Sequence, residues 1–549
     1  MPVRAPADPD ATDAPTDRGV VPPHGQTAAG RPDVGPPLDP ALVARLHSRL
    51  VAAPEADRVT VLAPFTGEPL HRLPQSTPDD VALAFRAAGR AQREWAEVPP
   101  AARGRILLRF HDLLLQRRDE GLDVVQWETG KARRDALEEL LDVCINARHY
   151  ARDGVRLLRP RRQRGALPGL VGVRELHHPK GVVGVIAPWN YPLTLAASDA
   201  IPALMAGNGV VVKPDNQTAL TALWVTDLMA QAGMPESLVQ VVAGDGPVIG
   251  PQVVEHADFI MFTGSTQTGR QVARRCGERL IGCSLELGGK NALLVLADAD
   301  LERAADVATR AAFANSGQLC ISMERLFVHE AVREEFLARF LPRVHAIRLA
   351  ARVGWGADMG SLISQRQLDR VRGHVDDAVA KGAELLAGGR PRPDVGPYFF
   401  EPTVLAHVTE AMEACSEETF GPVLSVHGVA SDDEAVARAN ATSYGLNAAV
   451  ITRDLAHGRR IAARLRAGTV NINEGYAAAW GSTRAGMGGM GDSGLGRRHG
   501  DEGLLKYTES QTVATQRLLG FGAPPGWSDQ RWGDTLTRAV AAMKRIGMT

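Results

Sequence analysis

Apolar positions along this chain recur in two rhythms. After a first stretch of about forty residues with no apolar block, "STPDDVALAFRAAGRAQREWAEV" carries apolar residues at helical spacing. It follows a Thr77 cap, with Pro78 at the first helical position and acids in the first turn, which predicts a helix. Helical pattern continues to about Arg152. "RLLRPRRQRGALPGLVGVRELHHPK" then turns to Pro and Gly punctuation with short β-prone pieces, the mark of a hairpin projecting from the body. From Gly181 short, unbroken apolar runs ("GVVGVIAP", "GVVVKP", "VQVVAG", "DFIMFTG") alternate with helical ones ("LTLAASDAIPALMAG", "TALTALWVTDLMAQAG"). That alternation predicts a parallel sheet covered on both faces, a doubly wound α/β domain. A second series starts at "NALLVLADAD" and "LERAADVATRAAFANSG" and runs through "ERLFVH", "QLDRVRGHVDDAVAKG" and "LSVHGV" to "RRIAARLRAGTVNIN", which predicts a second α/β lobe. Beyond about Gln516, "DTLTRAVAAMKRI" reads as an amphipathic helix without an assigned role.

Composition narrows the class. The 549 residues, 44% hydrophobic, suffice for two to four units at about 150 residues per domain. The 62 cationic side chains nearly cancel the 63 anionic ones, so no overall field would draw in nucleic acid or an anionic membrane. Residues 1–40, rich in Pro, Ala, Asp and Gly, resemble neither a signal nor a transit peptide and are expected to be a disordered tail. The longest apolar region, 181–212, is interrupted by Asn190, Pro192, Asp199 and Asn208, which excludes a spanning helix of ~20 residues and predicts a soluble protein. Cysteines at 144, 276, 283, 320 and 415 have neither the paired spacing of a zinc site nor the density of a disulfide scaffold; a reducing cytoplasm and no metal are expected.

Several short stretches carry chemistry. In "NSGQLCIS" Cys320 sits in a Gly- and Ser-punctuated loop behind a helix, where a thiol can serve as packing or as nucleophile. In "FIMFTGSTQTG" a strand ends at Gly264, Ser265 caps a helix and Gly269 falls in its first turns. Such a helix start offers free N–H groups to an anion, although a plain tight turn has the same pattern. Lys213 ends the strand of "VVVKPDNQT" at the edge where open α/β sheets bind ligands; a solvated surface lysine would read the same. In "APWNYPLT", Asn190 either aims two amide hydrogens into a cleft or caps the next helix. Glu286 in "LELGGKN" precedes paired glycines, where a carboxylate can face a cavity.

The ordered set "GVVGVIAPWNYP", "VVVKP", "FTGSTQTG", "LELGGKN", "NSGQLCI" and "EETFGPV" resembles the NAD(P)-dependent aldehyde dehydrogenase superfamily from about residue 60 to 515. "GHVDDAVAKGA", "WGSTRAGMGGMGDSGLGRRHG" and "LLKYTESQT" are similar to bacterial succinate-semialdehyde dehydrogenases of the NADP-dependent kind. The resemblance implies a Rossmann-type nucleotide-binding domain (41–155 and 179–288), an α/β catalytic domain (289–502), a small β oligomerisation element (156–178 and 503–516) and a C-terminal tail (517–549). It implies Cys320 as the nucleophile that forms a thiohemiacetal, Asn190 with the Cys320 N–H as oxyanion hole, and Glu286 as the base that releases the thioester. It also implies a cofactor pocket containing Trp189, Lys213, Asn216, Gly264, Ser265, Gly269, Glu418 and Phe420. Asn216 stands where NAD-preferring members carry an acid, so NADP is expected, with NAD possible as acceptor. A homodimer or homotetramer is implied, with a small aldehyde as the partner molecule.

Two departures bear on the substrate. Arginines that hold the distal carboxylate in several succinate-semialdehyde dehydrogenases correspond here to Ala314 and Ser198, which leaves Arg484 or Arg325 to take that role, or else a neutral aliphatic or aromatic aldehyde as substrate. Two other classes compete: a cysteine hydrolase without nucleotide, which needs a histidine near Cys320, and a catalytically silent homologue. His329, in a predicted strand, is read as structural.

Overall fold

The computed structural model describes residues 34–165, 171–517, 522–545 and 547. The helix Pro78–Glu97 opens on a reciprocal cap: the Asp80 N–H donates to Thr77 Oγ1 (3.2 Å) and the Thr77 N–H to Asp80 Oδ2 (2.8 Å). Its buried residues Val81, Ala84, Phe85, Ala88 and Trp95 follow the helical stripe and face the first sheet.

That sheet has six strands, in the order Gly494–Leu495, Gly282–Glu286, Phe259–Thr263, Val182–Ile186, Gly209–Lys213 and Val239–Val241. The last five are mutually parallel, and only the edge strand Gly494–Leu495 runs antiparallel. Chain order reverses between Val182–Ile186 and Phe259–Thr263, because the chain first builds outward on one side and then returns to build on the other. The crevice beyond the carboxyl ends of those two strands is a topological switch point, the place where open α/β sheets bind ligands.

The second sheet has seven strands, Glu384–Ala387, Thr403–Ala406, Val423–Val429, Met323–His329, Asn291–Val295, Asn447–Ile451 and Thr469–Ile472, all parallel except the first pair. Its strand Asn291–Val295, next to the central strand Met323–His329, starts five residues after the first sheet's Glu286, so a short connection joins the two lobes. A third sheet pairs Arg161–Arg164 with Val171–Pro179, and Val171–Pro179 with Thr508–Gln516 in antiparallel register from Thr508↔Pro179 to Gln516↔Val171. Thr508–Gln516 has an open edge and is almost wholly exposed.

The structure departs from the sequence reading in places. Of the tail expected over 1–40, residues 1–33 lie outside the described residues, but Val34 and, in part, Leu38 pack on the body while Pro36, Pro37 and Asp39 stay exposed. Val34 is buried with Phe65, Trp127 and Phe399, and Trp127 Nε1 donates to the Pro36 carbonyl (3.1 Å). A single valine among prolines has no period, and its partners are distant in sequence, so no local pattern announces this contact. The helix Gly246–His256 is likewise absent from the sequence reading, since Pro247 and Pro251 read as breakers; Pro247 stands in its first turn, where the missing N–H costs nothing. The C-terminal helix Asp529–Arg545 forms and is largely exposed, with Trp532 buried and Leu536 and Met543 half-buried. Among the described residues no helix is long and apolar enough to cross a membrane.

Candidate active site

The loop that carries Cys320 is built against local preference. After the helix Leu301–Phe313, Asn315 (φ 50°), Ser316 (φ 57°) and Gly317 (φ 70°) all take the left-handed conformation, at about 1–2 kcal/mol for each of the two non-glycine residues. Buried hydrogen bonds hold the run in place. Asn315 Nδ2 donates to the carbonyls of Asn190 (3.1 Å) and Gln318 (3.0 Å), Ser316 Oγ to Gly360 O (3.0 Å), and the Ile363 N–H to Gln318 Oε1 (2.9 Å). Gly317 has no alternative: besides its φ, a Cβ there would stand 2.0 Å from the Gly421 carbonyl oxygen. The Cys320 carbonyl accepts from Asn291 Nδ2 (2.7 Å), and the side chain is left partly exposed between two cavities.

Asn190 does not cap the following helix Pro192–Ala206. Its Nδ2 donates to the Gln318 carbonyl (3.1 Å), two residues before Cys320, so the amide lies beside the thiol loop. The turn is held by a charge pair that the sequence reading missed. Lys131 Nζ donates to the Asn190 carbonyl (2.7 Å), packs over the Tyr191 ring (4.0 Å) and pairs with Glu139, both ions being fully buried. Glu139 Oε2 in turn accepts from the Leu193 and Thr194 N–H groups at the start of the helix (2.8 and 3.2 Å).

One cavity opens at the switch point and is lined by Pro188, Trp189, Asn190, Thr263, Gly264, Ser265, Leu287, Gly288, Cys320, Glu418 and Phe420. Trp189 and Phe420 meet edge to face, with centroids 5.5 Å apart. Phe420 is itself left-handed (φ 56°), and its N–H and that of Thr419 donate to the buried Glu324 (both 2.9 Å), whose counter-ion is Lys290 (2.5 Å). Glu418 accepts from the Gly289 N–H (2.8 Å), and a Cβ at Gly288 would stand 2.5 Å from its Oε2. Burial, with Glu324 adding, pushes the Glu418 carboxyl up to about 7.

Ser265 caps the helix Thr266–Glu278, accepting from the Thr268 N–H (3.3 Å). Gly269 is not among the residues lining the cavity, and a Cβ there would meet Leu287, which is, at 2.5 Å. Lys213 is buried rather than solvated, and burial lowers its ammonium's proton affinity against the pull of Asp215 and Asp245. Asn216 Nδ2 donates to Gln75 Oε1 (3.0 Å) while its Oδ1 has no protein partner. An anion-ready helix start, a buried ammonium, facing aromatic rings and a carboxylate at the far end suit a phosphate-bearing dinucleotide.

The second cavity shares Asn190 and Cys320 and is otherwise lined by Glu138, Tyr191, Thr194, Leu195, Leu319, Ile321, Tyr476, Trp480, Met487 and Arg498. No histidine lines either cavity, and His329 caps the helix Glu330–His345, its Nδ1 accepting from the Ala331 N–H (3.2 Å). Neither arginine proposed for a substrate carboxylate is here. Arg325 is buried and spends its donors on the carbonyls of Lys290, Arg438 and Ala439; Arg484 is 83% exposed and pairs with Asp153. Ser198 donates to Asp142 (2.7 Å), and Ala314 is in the core.

Glu286 lines neither cavity. It is 4% exposed, its Oε1 has no partner among the described residues, and a Cβ at Gly488 would stand 3.0 Å from that oxygen. Burial pushes its carboxyl up to about 7, opposed by Arg498 and Lys506 and reinforced by Asp199. Burial also pushes the Cys320 thiol up to about 12; Arg498 opposes this and Glu286 and Glu418 add to it. Arg498 escaped the sequence reading because a Gly-rich arginine stretch looks like a solvated loop.

Comparison with known proteins agrees with this geometry. The aldehyde dehydrogenase family profile matches residues 51–513. A Mycolicibacterium smegmatis protein named "putative succinate-semialdehyde dehydrogenase, NADP(+)" is 55% identical over 482 residues, 88% of this chain and 93% of its own. A Mycobacterium ulcerans protein of the same name, numbered 2, is 51% identical over the same shares. Among solved structures, a point mutant of an aldehyde dehydrogenase from Bacillus cereus superposes with TM-score 0.82 at 32% identity, covering 87% of this chain and 99% of that one. A betaine aldehyde dehydrogenase from Staphylococcus aureus in complex with NAD+ superposes with TM-score 0.81 at 28% identity, covering 88% and 100%.

Proposed function

The chain belongs to the aldehyde dehydrogenase family, and from that premise we propose that it oxidises succinate semialdehyde to succinate with NADP as acceptor. The observation that carries this reading is convergence: Cys320, Asn190, Gly264 and Glu418, from four separate segments, border one cavity at the switch point of the sheet.

The Cys320 sulfur, as thiolate, attacks the aldehyde carbon and forms the S–C bond of a thiohemiacetal. Charge moves to the aldehyde oxygen, which the Asn190 amide and the Cys320 N–H stabilise; one such donor is typically worth about 3–4 kcal/mol. Trp189 and Phe420 would wall the site of a dinucleotide and Glu418 would offer it a carboxylate. Once held there, the dinucleotide would supply the acceptor for the hydride that the thiohemiacetal carbon gives up in becoming a thioester. Glu286 takes a proton from water as the water oxygen attacks the thioester carbon; the S–C bond then breaks, releasing the acid and the thiolate. Because its carboxylate lines neither cavity that contains Cys320, Glu286 must turn toward the thioester or act through an intervening water.

NADP is supported by the relatives' names and by the neutral Asn216, which avoids repulsion of a 2′-phosphate. Succinate semialdehyde rests on those names as well. The chamber itself favours a second reading, a neutral aliphatic or aromatic aldehyde, since its walls are mainly Tyr191, Leu195, Leu319, Tyr476, Trp480 and Met487. Comparing kcat/KM on succinate semialdehyde and butanal with each nucleotide separates them; a decisive preference for butanal overturns the dicarboxylic reading. The open, exposed edge of Thr508–Gln516 and the absence of any disulfide among the described cysteines support a homo-oligomer in the cytoplasm.

A further inference from the structure

Beneath the chamber lies a group of charges to which the reaction above assigns no part. Arg498 donates through Nε and Nη2 to the two carboxylate oxygens of Asp199 (2.9 and 2.7 Å) and again through Nη2 to Thr263 Oγ1 (2.7 Å). Asp199 is 4% exposed at its side chain and belongs to the helix that begins at the Asn190 turn. Thr263 is the strand partner of Glu286. Among the described residues, Arg498 is also the one cationic side chain lining either cavity that contains Cys320. A single guanidinium, fixed by a forked pair, thus bridges the nucleophile's chamber and the strand of the base.

The other charges near these two groups do not replace it. Glu418 and Glu286 both face Cys320 with negative charge. Lys506 bonds to Ser284 Oγ (3.1 Å) and Arg497 to the carbonyls of Gly489 and Gly496 (3.1 and 2.7 Å); both act on Glu286 and neither lines the Cys320 cavity. Resting on Cys320 as nucleophile and Glu286 as base, we infer that Arg498, clamped by Asp199, is a positioning residue that supplies the positive charge against which Cys320 ionises and Glu286 keeps its carboxylate ready for water.

The burial that raises the Cys320 thiol makes this charge necessary, since Arg498 is the leading influence drawing the thiol the other way. Asp199 acts in the opposite sense: it orients the guanidinium but subtracts from its field. Two substitutions in one ion pair therefore have opposite effects on the sulfur, whereas damage to packing would move both the same way.

The test is the rate of alkylation of the Cys320 peptide by iodoacetamide at fixed pH values from 7 to 9, all below the thiol's midpoint of about 12, read by mass spectrometry on the full-length protein without nucleotide. Below the midpoint the rate follows the thiolate fraction, so a rise of about one pH unit in Arg498→Gln slows alkylation about tenfold at each pH. Asp199→Asn speeds it, and Arg498→Lys restores part of the loss. An unchanged rate in Arg498→Gln, or slowing in both variants, overturns the inference. If alkylation of Cys320 still abolishes aldehyde turnover in that case, the nucleophile assignment stands and only the role of Arg498 falls. Turnover that survives full alkylation of Cys320 removes the assignment itself, and the inference with it.

Discussion

Replacing Glu286 by glutamine keeps the side chain's shape and removes its ionisation, and the burial of this residue makes the consequence calculable. The folded protein holds the Glu286 proton up to about pH 7, against 4.5 for an ordinary glutamate. Because the folded state binds this proton more tightly than the unfolded chain, the stability present below pH 4.5 is lost as pH rises through about 7. At about 1.4 kcal/mol for each pH unit between the two values, the ionised carboxylate costs the fold about 3 kcal/mol by pH 8. Glu286→Gln escapes that loss. Its thermal midpoint should exceed that of the wild type at pH 8, and the two should converge toward pH 5. The same variant should show a normal first burst of reduced nucleotide followed by a strongly slowed steady state, because the base acts on the thioester and not on its formation. A midpoint difference that is the same at pH 5 and pH 8 would refute the buried-carboxylate argument. An undiminished steady-state rate at neutral pH would remove Glu286 as the base.

Three further outcomes are expected. Cys320→Ala abolishes aldehyde oxidation and leaves nucleotide binding intact, as read by quenching of tryptophan fluorescence. Glu324→Gln leaves the buried Lys290 ammonium without a counter-ion and weakens the acceptor for the Thr419 and Phe420 N–H groups. It should cost about 3–5 kcal/mol in urea unfolding and raise KM for the nucleotide more than KM for the aldehyde. Asn216→Asp introduces a charge that repels a 2′-phosphate, so kcat/KM with NADP falls relative to NAD by about tenfold, measured on one aldehyde.

The parts of the fold legible in advance are those in which a local pattern has one physical solution. "DFIMFTG" and "GVVVKP" are unbroken apolar runs, which only a sheet covered on both faces can bury, and the structure leaves Phe259–Thr263 and Gly209–Lys213 wholly buried. Thr77, Pro78 and Asp80 announce a helix start because a cap is completed within four residues. The helix Gly246–His256 failed that test, since its prolines argue locally against it while packing of Ile249, Val253 and Val254 favours it. Lysine scarcity was a usable signal that went partly unread. Of the chain's seven lysines, Lys131, Lys213 and Lys290 are all buried around the site, and only Lys213 drew notice.

By itself, then, the sequence determined the two α/β lobes, the turn glycines and the kinds of chemistry available at Cys320, Asn190 and Glu286, because apolar periodicity, capping and residue type act over a few neighbouring positions. The tertiary structure alone decided which charges stand next to those groups. Arg498 meets Asp199 across 299 residues, and Glu324 receives Thr419 across 95. A buried ion pair is set by desolvation and by facing geometry, and both arise only when distant segments close on one another.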